Sequence, residues 1–166
     1  MLALLQVLTI TAAAVSMALS LAHALELPGK MRLTKDQYLA VQPIYYPGFS
    51  IGGMAEPLSI VLTGVLVLLL SDGSTEFWLA LAALPILIAI HAVYWLLTHP
   101  VNNFWLKDFK PRGAGAKFFA IGTRNSQGRS LAADWTQLRD RWEHSHVVRA
   151  VLGFIGFVLL AAYIAL

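Results

Sequence analysis

Five histidines near the ends of strongly apolar segments are the residues of this sequence best suited to chemistry. They are His23, His91, His99, His144 and His146. An ionisable side chain inside an apolar segment is costly unless it has a partner, so such residues usually mark functional sites in membrane proteins. Imidazole transfers protons near neutral pH and binds metal ions. The sequence therefore predicts an intramembrane site with one of these chemistries.

Four ionisable residues, one from each apolar segment, lie at a similar distance from the same end of the predicted bundle. They are His23, Glu56, His91 and His146. Imidazoles with a carboxylate suit iron, copper, zinc or nickel, and two facing histidines can ligate a haem. No pair has the diagnostic spacing of a known metal motif. These residues form a candidate metal site, and the cofactor stays open between a histidine-ligated transition metal, a haem and none.

Helical geometry separates the two histidines of the last segment. At 3.6 residues per turn, His146 shares a face with Arg149, whereas His144 points about 160° away. We therefore expect His144, and also His99 at the end of the third segment, to lie at the membrane interface. Glu56 has two interpretations: a carboxylate favoured by a helix N-terminus, or a metal ligand, proton carrier or ion partner of Arg149. Arg149 could also simply extend to the interface.

Composition explains why the segments that carry these residues belong in a membrane. The chain is 58% hydrophobic and only 13% charged, whereas soluble domains carry roughly 25% charged residues. Too few polar groups remain to cover a water-facing surface, so a lipid bilayer is the expected partner. The absence of cysteine excludes disulfides and thiolate-based metal or catalytic sites. The basic pI near 9.4 does not indicate nucleic acid, because the basic residues flank apolar segments.

Four apolar stretches each approach the roughly 20 residues that cross a bilayer as a helix. They cover about residues 2–24, 51–70, 77–97 and 147–166. The predicted fold is all-α, a four-helix transmembrane bundle in a single domain covering residues 1–166. Before the fourth helix, Trp135, Leu138 and Trp142 recur with helical spacing. This spacing predicts an amphipathic extension that leads directly into the fourth helix.

The basic residues predict how the bundle is oriented. All twelve Lys and Arg residues lie in two regions, three at 30–35 and nine at 107–149. The positive-inside rule makes the loops at about 27–50 and 99–146 cytoplasmic and places both termini on the other side. We expect the first loop to be mostly irregular, Pro100 to end the third helix, and residues 113–130 to form a surface loop. The pattern is typical of a multi-pass protein of the bacterial inner membrane.

Several short motifs resemble those of the anthrone oxygenase-like family of small four-helix membrane proteins. The similarity lies in residues 91–95 and 98–102 and in the spacing of Trp142, His146 and Arg149. It extends over nearly the whole chain, including the first-helix histidine and the Leu-Pro-Gly-Lys-Met sequence that follows it.

The resemblance implies that Asn102, His146 and Arg149 are site residues, with His99 beside them. Characterised members of the family oxidise polycyclic anthrones to quinones with O₂ and have no well-established cofactor. His23, Glu56 and His91 are additional to these family positions and are typical of a distinct bacterial subgroup.

Three functional hypotheses follow. The first is an oxygenase-like membrane oxidoreductase that acts on a lipophilic aromatic or quinone-like substrate. His91 or His146 would then be the general base, and Arg149 and Asn102 would stabilise a developing oxyanion. The second is a haem- or metal-binding membrane protein in electron transfer or metal handling. The third is a non-catalytic accessory subunit, in a homo-oligomer or membrane complex, whose polar residues form a fully hydrogen-bonded network without a cavity.

Overall fold

The computed structural model describes residues 1–105 and 134–166, and helices account for nearly all of them. No strand is present in these two ranges. Four helices are long and apolar enough to cross a membrane, which confirms the predicted all-α transmembrane bundle. They are Leu2–Lys30, Gly48–Leu69, Thr75–Asn102 and Trp135–Ile164. The surface loop predicted at 113–130 lies outside the described residues.

Shorter elements connect or continue these spans. The helices are α1 (Leu2–Lys30), α2 (Lys35–Val41), α3 (Gly48–Gly52), α4 (Ala55–Leu69), α5 (Thr75–Val93), α6 (His99–Trp105) and α7 (Trp135–Ile164). A 3-10 turn at Gln42–Tyr45 follows α2, and a π-helical turn at Tyr94–Thr98 joins α5 to α6. The second span therefore combines α3 with α4, and the third combines α5 with the π-helical turn and part of α6.

The four spans pack as a ring in which each one contacts two neighbours. Helices α1 and α5 each pack against both α4 and α7. Small and branched apolar side chains meet at the centre, namely Ala13, Ala83, Leu87, Ile90 and Leu160. Large side chains such as Leu68 and Phe154 are exposed on the outside. Since lipid solvates that outer face, close packing of small residues contributes more to helix association than burial of apolar surface does.

Gly153 is one of these small residues and lies where α7 meets α1. A Cβ atom at this position would lie 3.2 Å from Met17 Cα, a backbone atom that cannot move unless α1 shifts. We expect Gly153→Ala to force the two helices apart and to lower the free energy of unfolding by about 1–3 kcal/mol, as overpacking does in other proteins. Thermal unfolding in detergent measures this effect. Gly64→Ala is the matched control, because a Cβ at Gly64 meets no atom within 4 Å; equal losses in both variants would contradict the tight contact.

The third span continues past Pro100, so the expectation that this proline ends the helix is wrong. Proline has no N–H for the carbonyl four residues earlier, and its ring crowds that carbonyl. The π-helical turn directly before α6 changes the local hydrogen bonding, and Arg141 Nη2 donates to the Leu96 carbonyl at 2.6 Å. The longer helix brings Asn102 beside α7, where Trp142 Nε1 donates to Asn102 Oδ1 at 2.7 Å.

The segment between the first two spans is helical where the sequence suggested irregular structure. Thr34 and Gln37 form a capping box at the start of α2, in which each side chain accepts a hydrogen bond from the other residue's backbone N–H. This Thr-x-x-Gln pattern is a recognised signal for a helix start. Helix α2 then buries Tyr38 in an aromatic cluster with Trp105 and Trp142. The cluster fixes α2 against α6 and α7.

Helix α7 runs without interruption from Trp135 to Ile164. The predicted amphipathic extension and the fourth span are therefore one helix. Its buried positions include His146, Arg149 and Gly153, which form one stripe along the helix. This stripe faces the interior of the bundle.

Candidate functional site

A cavity of about 140 Å³ lies between the four spans and the segment that connects the first two. The structure brings all six residues of the sequence-predicted catalytic and metal sets to its lining. These residues are His23, Glu56, His91, Asn102, His146 and Arg149. The cavity is therefore the candidate functional site.

Glu56 is at the centre of the site's hydrogen-bond network. The residue lies in the first turn of α4 and is 4% exposed. Arg149 Nη2 donates to its Oε2 at 2.6 Å, and His91 Nδ1 is 2.8 Å from its Oε1. The Glu56 carboxylate is therefore both an ion partner of Arg149 and a hydrogen-bond partner of His91. A pair of charges buried in this way depends on both members, because either one alone would lack compensation.

The hydrogen bonds of His91 determine which of its ring nitrogens carries a hydrogen. Trp95 Nε1 lies 3.0 Å from His91 Nε2, and an indole N–H can only donate. His91 Nε2 therefore accepts, and His91 Nδ1 carries the hydrogen that is donated to Glu56. Both nitrogens are engaged, so His91 holds the Glu56 carboxylate in position.

The same reasoning places the ring hydrogen of His146 on Nε2, whereas that of His91 lies on Nδ1. Arg149 Nη1 lies 3.3 Å from His146 Nδ1, and a guanidinium group can only donate. His146 Nδ1 therefore accepts, and Nε2 carries the hydrogen. His146 Nε2 and Arg149 Nε are both buried, and neither has a hydrogen-bond partner in the described part of the chain. The site thus holds two buried donors without an acceptor.

His23 forms an aromatic wall of the cavity together with His146. The two ring centroids are 4.1 Å apart, and the Trp142 ring packs edge-on against both. The ring centroids of Tyr45 and Phe49 lie 4.4 and 4.7 Å from that of His23. A flat aromatic ligand would therefore find aromatic contacts on this side of the cavity.

The four residues proposed as a metal site form two separate pairs. Glu56 contacts His91, and His23 stacks on His146. Across residues 1–105 and 134–166, no three histidine, aspartate or glutamate side chains are grouped so that they could hold a metal ion.

The two remaining histidines lie outside the cavity lining. His144 is exposed, as predicted, and its Nδ1 is 2.6 Å from the Asp140 carbonyl oxygen. His99 is buried in the protein, at 5% exposed. It packs against Trp95 with ring centroids 4.7 Å apart, and its Nδ1 is 3.3 Å from the Tyr94 hydroxyl. The rings of Tyr94 and Trp95, one turn earlier in the same span, contact the His99 ring.

Sequence reasoning missed a second buried polar cluster beside His23. Lys30 is 5% exposed and lies within 4 Å of Glu26 and Glu143, and Tyr38 donates to Glu143 at 2.8 Å. The spacing of Glu26 and Lys30, one helical turn apart, indicated only the first of these contacts. The contact with Glu143 joins α1 to α7 and could not be read from local spacing.

The family of the chain follows from its match to one family model. That model, described as anthrone oxygenase, matches residues 47–159, which is more than half of the chain. No curated protein and no solved structure matches the chain. The matched region supplies Glu56, His91, Asn102, His146 and Arg149 to the cavity, whereas His23 lies before it. The chain therefore belongs to the anthrone oxygenase family.

Proposed function

We propose that this protein is a membrane oxidoreductase that uses O₂ to oxidise a lipophilic aromatic or quinone-like substrate in this cavity. The observation that carries the proposal is the buried His146 Nε2 beside the Arg149 guanidinium, a donor for which the described residues supply no partner. Burying such a donor is unfavourable unless an acceptor meets it. A substrate oxygen that becomes negatively charged is the acceptor that this pair of groups suits best. The cavity also distinguishes this proposal from a purely structural network, which would leave neither a space nor an unpaired donor.

The proposed location is the bacterial inner membrane, with the cavity toward the cytoplasmic side. Its support is the charge pattern of the sequence, in which every Lys and Arg falls within residues 30–35 or 107–149 and so on the predicted cytoplasmic side. A substrate dissolved in lipid would reach the cavity between the spans.

The size of the cavity favours enclosure of one aromatic ring. An engineered apolar cavity of roughly 150 Å³ binds benzene, and the present cavity is about 140 Å³. For a tricyclic anthrone, we propose that the enclosed part is the reacting end and that the other rings extend from the cavity.

The proposed reaction converts a ring CH₂ group and O₂ into a ring C=O group and water. The carbon loses four electrons, and O₂ accepts four as one oxygen enters the quinone and the other leaves as water. That water contains both hydrogens of the CH₂ group, so the reaction balances.

Glu56 is proposed to accept the first proton from the substrate. Within the described part of the cavity lining it provides the only carboxylate, and both ring nitrogens of His91 are already in hydrogen bonds. When Glu56 takes up a proton, its negative charge disappears as a negative charge develops on the substrate oxygen. Arg149 then neutralises the substrate anion instead of Glu56.

His146 and Arg149 are proposed to hold the substrate oxygen as this charge develops. His146 Nε2 and Arg149 Nε are fixed by the contact between the two side chains, so they need little rearrangement during the reaction. Asn102 lines the same cavity and is held by Trp142. We propose that an amide hydrogen of Asn102 provides a further donor to the substrate.

The proposal is tested with purified protein in lipid nanodiscs, supplied with an anthrone and O₂. Oxygen uptake and quinone absorbance measure turnover. We expect His146→Ala to lower turnover by about 10²–10³-fold, the loss typical of removing one such donor, with unchanged helix content. His144→Ala is the matched control, because that side chain is exposed outside the site. Unchanged turnover in His146→Ala would remove the proposed role, and a wild-type protein without anthrone turnover would overturn the substrate assignment.

A further inference from the structure

A buried polar cluster connects the cavity with the exposed end of α1. Its members are His23, Glu26, Lys30, Tyr38, Tyr45 and Glu143. Of these, His23 and Tyr45 also line the cavity, whereas Lys30, Glu26 and Glu143 do not. The oxidation chemistry described above makes no use of Lys30 or Glu26.

Lys30 is the residue on which this cluster converges. Its Nζ lies 3.2 Å from His23 Nδ1, 3.0 Å from Glu26 Oε2 and 3.5 Å from Glu143 Oε2. An ammonium group has three hydrogens and accepts none, so it can donate to each of these atoms. Because His23 Nδ1 accepts from Lys30, the hydrogen of the His23 ring lies on Nε2.

The first two members of this series of contacts are buried and the third is exposed. His23 is 4% exposed, Lys30 is 5% exposed, and Glu26 is 44% exposed. His23 Nδ1 and Glu26 Oε2 are also 3.9 Å apart. The contacts therefore lead without a gap from a cavity-lining imidazole to a carboxylate at the surface of the protein.

Two tyrosines hold the carboxylates of the cluster. Tyr45 donates to Glu26 Oε2 at 2.6 Å, and Tyr38 donates to Glu143 Oε1 at 2.8 Å. Burial raises the pKa of both hydroxyl groups, so both tyrosines are protonated and act as donors. Glu143 has no exposed surface and neutralises Lys30 from inside the protein. Lys30 thus contacts a second carboxylate, that of the exposed Glu26. One carboxylate would be enough to neutralise the Lys30 charge.

We propose that Lys30 and Glu26 form a proton relay that supplies the cavity through His23. This inference rests on the proposed oxidation, in which O₂ bound to carbon must receive a proton before water can leave. His23 Nε2–H gives its proton to the peroxide oxygen, and Lys30 Nζ gives a proton to His23 Nδ1. Lys30 regains a proton from water at the surface through Glu26. Glu56 returns the first proton to the departing hydroxide, which leaves as water. When the second C–H bond breaks, His23 Nε2 takes up that proton and Nδ1 returns its own to Lys30, which releases one proton to the surface through Glu26. His23 thereby regains its starting form, and one turnover exchanges protons with the surface without net uptake.

Turnover of Glu26→Gln provides the first test. The glutamine keeps the size of the side chain, and an exposed ion pair contributes little to stability, so the variant is expected to fold. In dilute buffer we expect turnover to fall about 10- to 100-fold, within the range of proton-transfer contributions. High concentrations of imidazole buffer should restore it, because a small proton donor can replace a relay but cannot repair a structural defect. Asp36→Asn, an exposed carboxylate on the neighbouring helix α2, is the matched control and should leave turnover unchanged.

A second measurement tests the relay without any substrate. In protein labelled with ¹⁵N at histidine, NMR reports the exchange of the His23 Nε2 hydrogen with water. We expect this exchange to be several-fold slower in Glu26→Gln and in Lys30→Met combined with Glu143→Gln, the pair that removes both buried charges together. Exchange as fast as in the wild type in both variants would overturn the relay. If the wild type oxidises no anthrone but the variants slow the exchange, the proposed function fails and the relay stands.

Discussion

Arg149→Met is expected to abolish turnover and to destabilise the bundle strongly. The guanidinium donates to Glu56 at 2.6 Å and lies 3.3 Å from His146 Nδ1. Its loss removes the charge that would balance a substrate anion, so we expect turnover to fall by about 10²–10³-fold. It also leaves the buried Glu56 carboxylate without its ion partner, which typically lowers the free energy of unfolding by about 3–5 kcal/mol. Turnover assays and thermal unfolding in detergent measure the two losses separately.

The double variant Arg149→Met with Glu56→Gln separates these effects. Removing both charges leaves no buried carboxylate without a partner, so much of the lost stability should return. Turnover should stay abolished, because neither the anion-stabilising group nor the proton acceptor is present. A single Arg149→Met variant that melts like the wild type would show that the ion pair contributes little to folding.

Glu56→Gln alone is expected to lower turnover by about 10²–10⁴-fold, the range for loss of a positioned proton acceptor. The glutamine is nearly the same size, but its single carbonyl oxygen can accept from His91 Nδ1 or from Arg149 Nη2 and not from both. The variant therefore also loses the buried ion pair, and we expect it to be less stable than the wild type. Substrate affinity should change far less than the rate, because the lost group acts on the proton and not on binding. Stopped-flow measurement of substrate enolisation, together with steady-state kinetics, distinguishes the two parameters.

Two further variants test whether the loss of turnover is specific to the Glu56 carboxylate. Glu76→Gln changes a carboxylate in the first turn of α5, outside the cavity lining, and should leave turnover unchanged. Glu56→Asp keeps the charge but withdraws it by one methylene, so it should recover part of the activity. If Glu56→Gln retained turnover close to the wild-type value, the role of Glu56 would be limited to pairing with Arg149.

Much of the site was predictable because membrane helices impose strong rules on the sequence. The cost of an ionisable group in lipid singled out His23, Glu56, His91 and His146. Helical phase separated the buried His146 from the exposed His144. The position of a residue along its span and the helix face on which it lies were therefore enough to identify one inward-facing residue on each span.

Other parts of the structure depend on contacts between distant residues, which local patterns do not record. Pro100 remains within a helix because Arg141, from another helix, donates to the carbonyl that the proline leaves free. The charge pattern places Lys30 in a predicted cytoplasmic loop. In the structure, Lys30 is buried and contacts Glu143, which is 113 positions away. The hydrogen positions on His91 and His146 depend on Trp95 and Arg149 as donors. Sequence therefore predicted which groups line the cavity, but neither the contacts between distant residues nor the direction of each hydrogen bond.

The pairing of Glu56 with Arg149 also has a consequence for how molecules enter and leave. The two charges cancel, so an uncharged aromatic molecule can diffuse from the lipid into a cavity that carries no net charge from this pair. Once ionised, the same molecule is retained, because an anion partitions poorly into hydrocarbon while the guanidinium attracts it. In the proposed reaction, oxidation to a neutral quinone would end that retention and return the molecule to the lipid. In this proposal the ion pair controls how long a molecule stays in the cavity. Only a molecule that ionises there stays long enough to react.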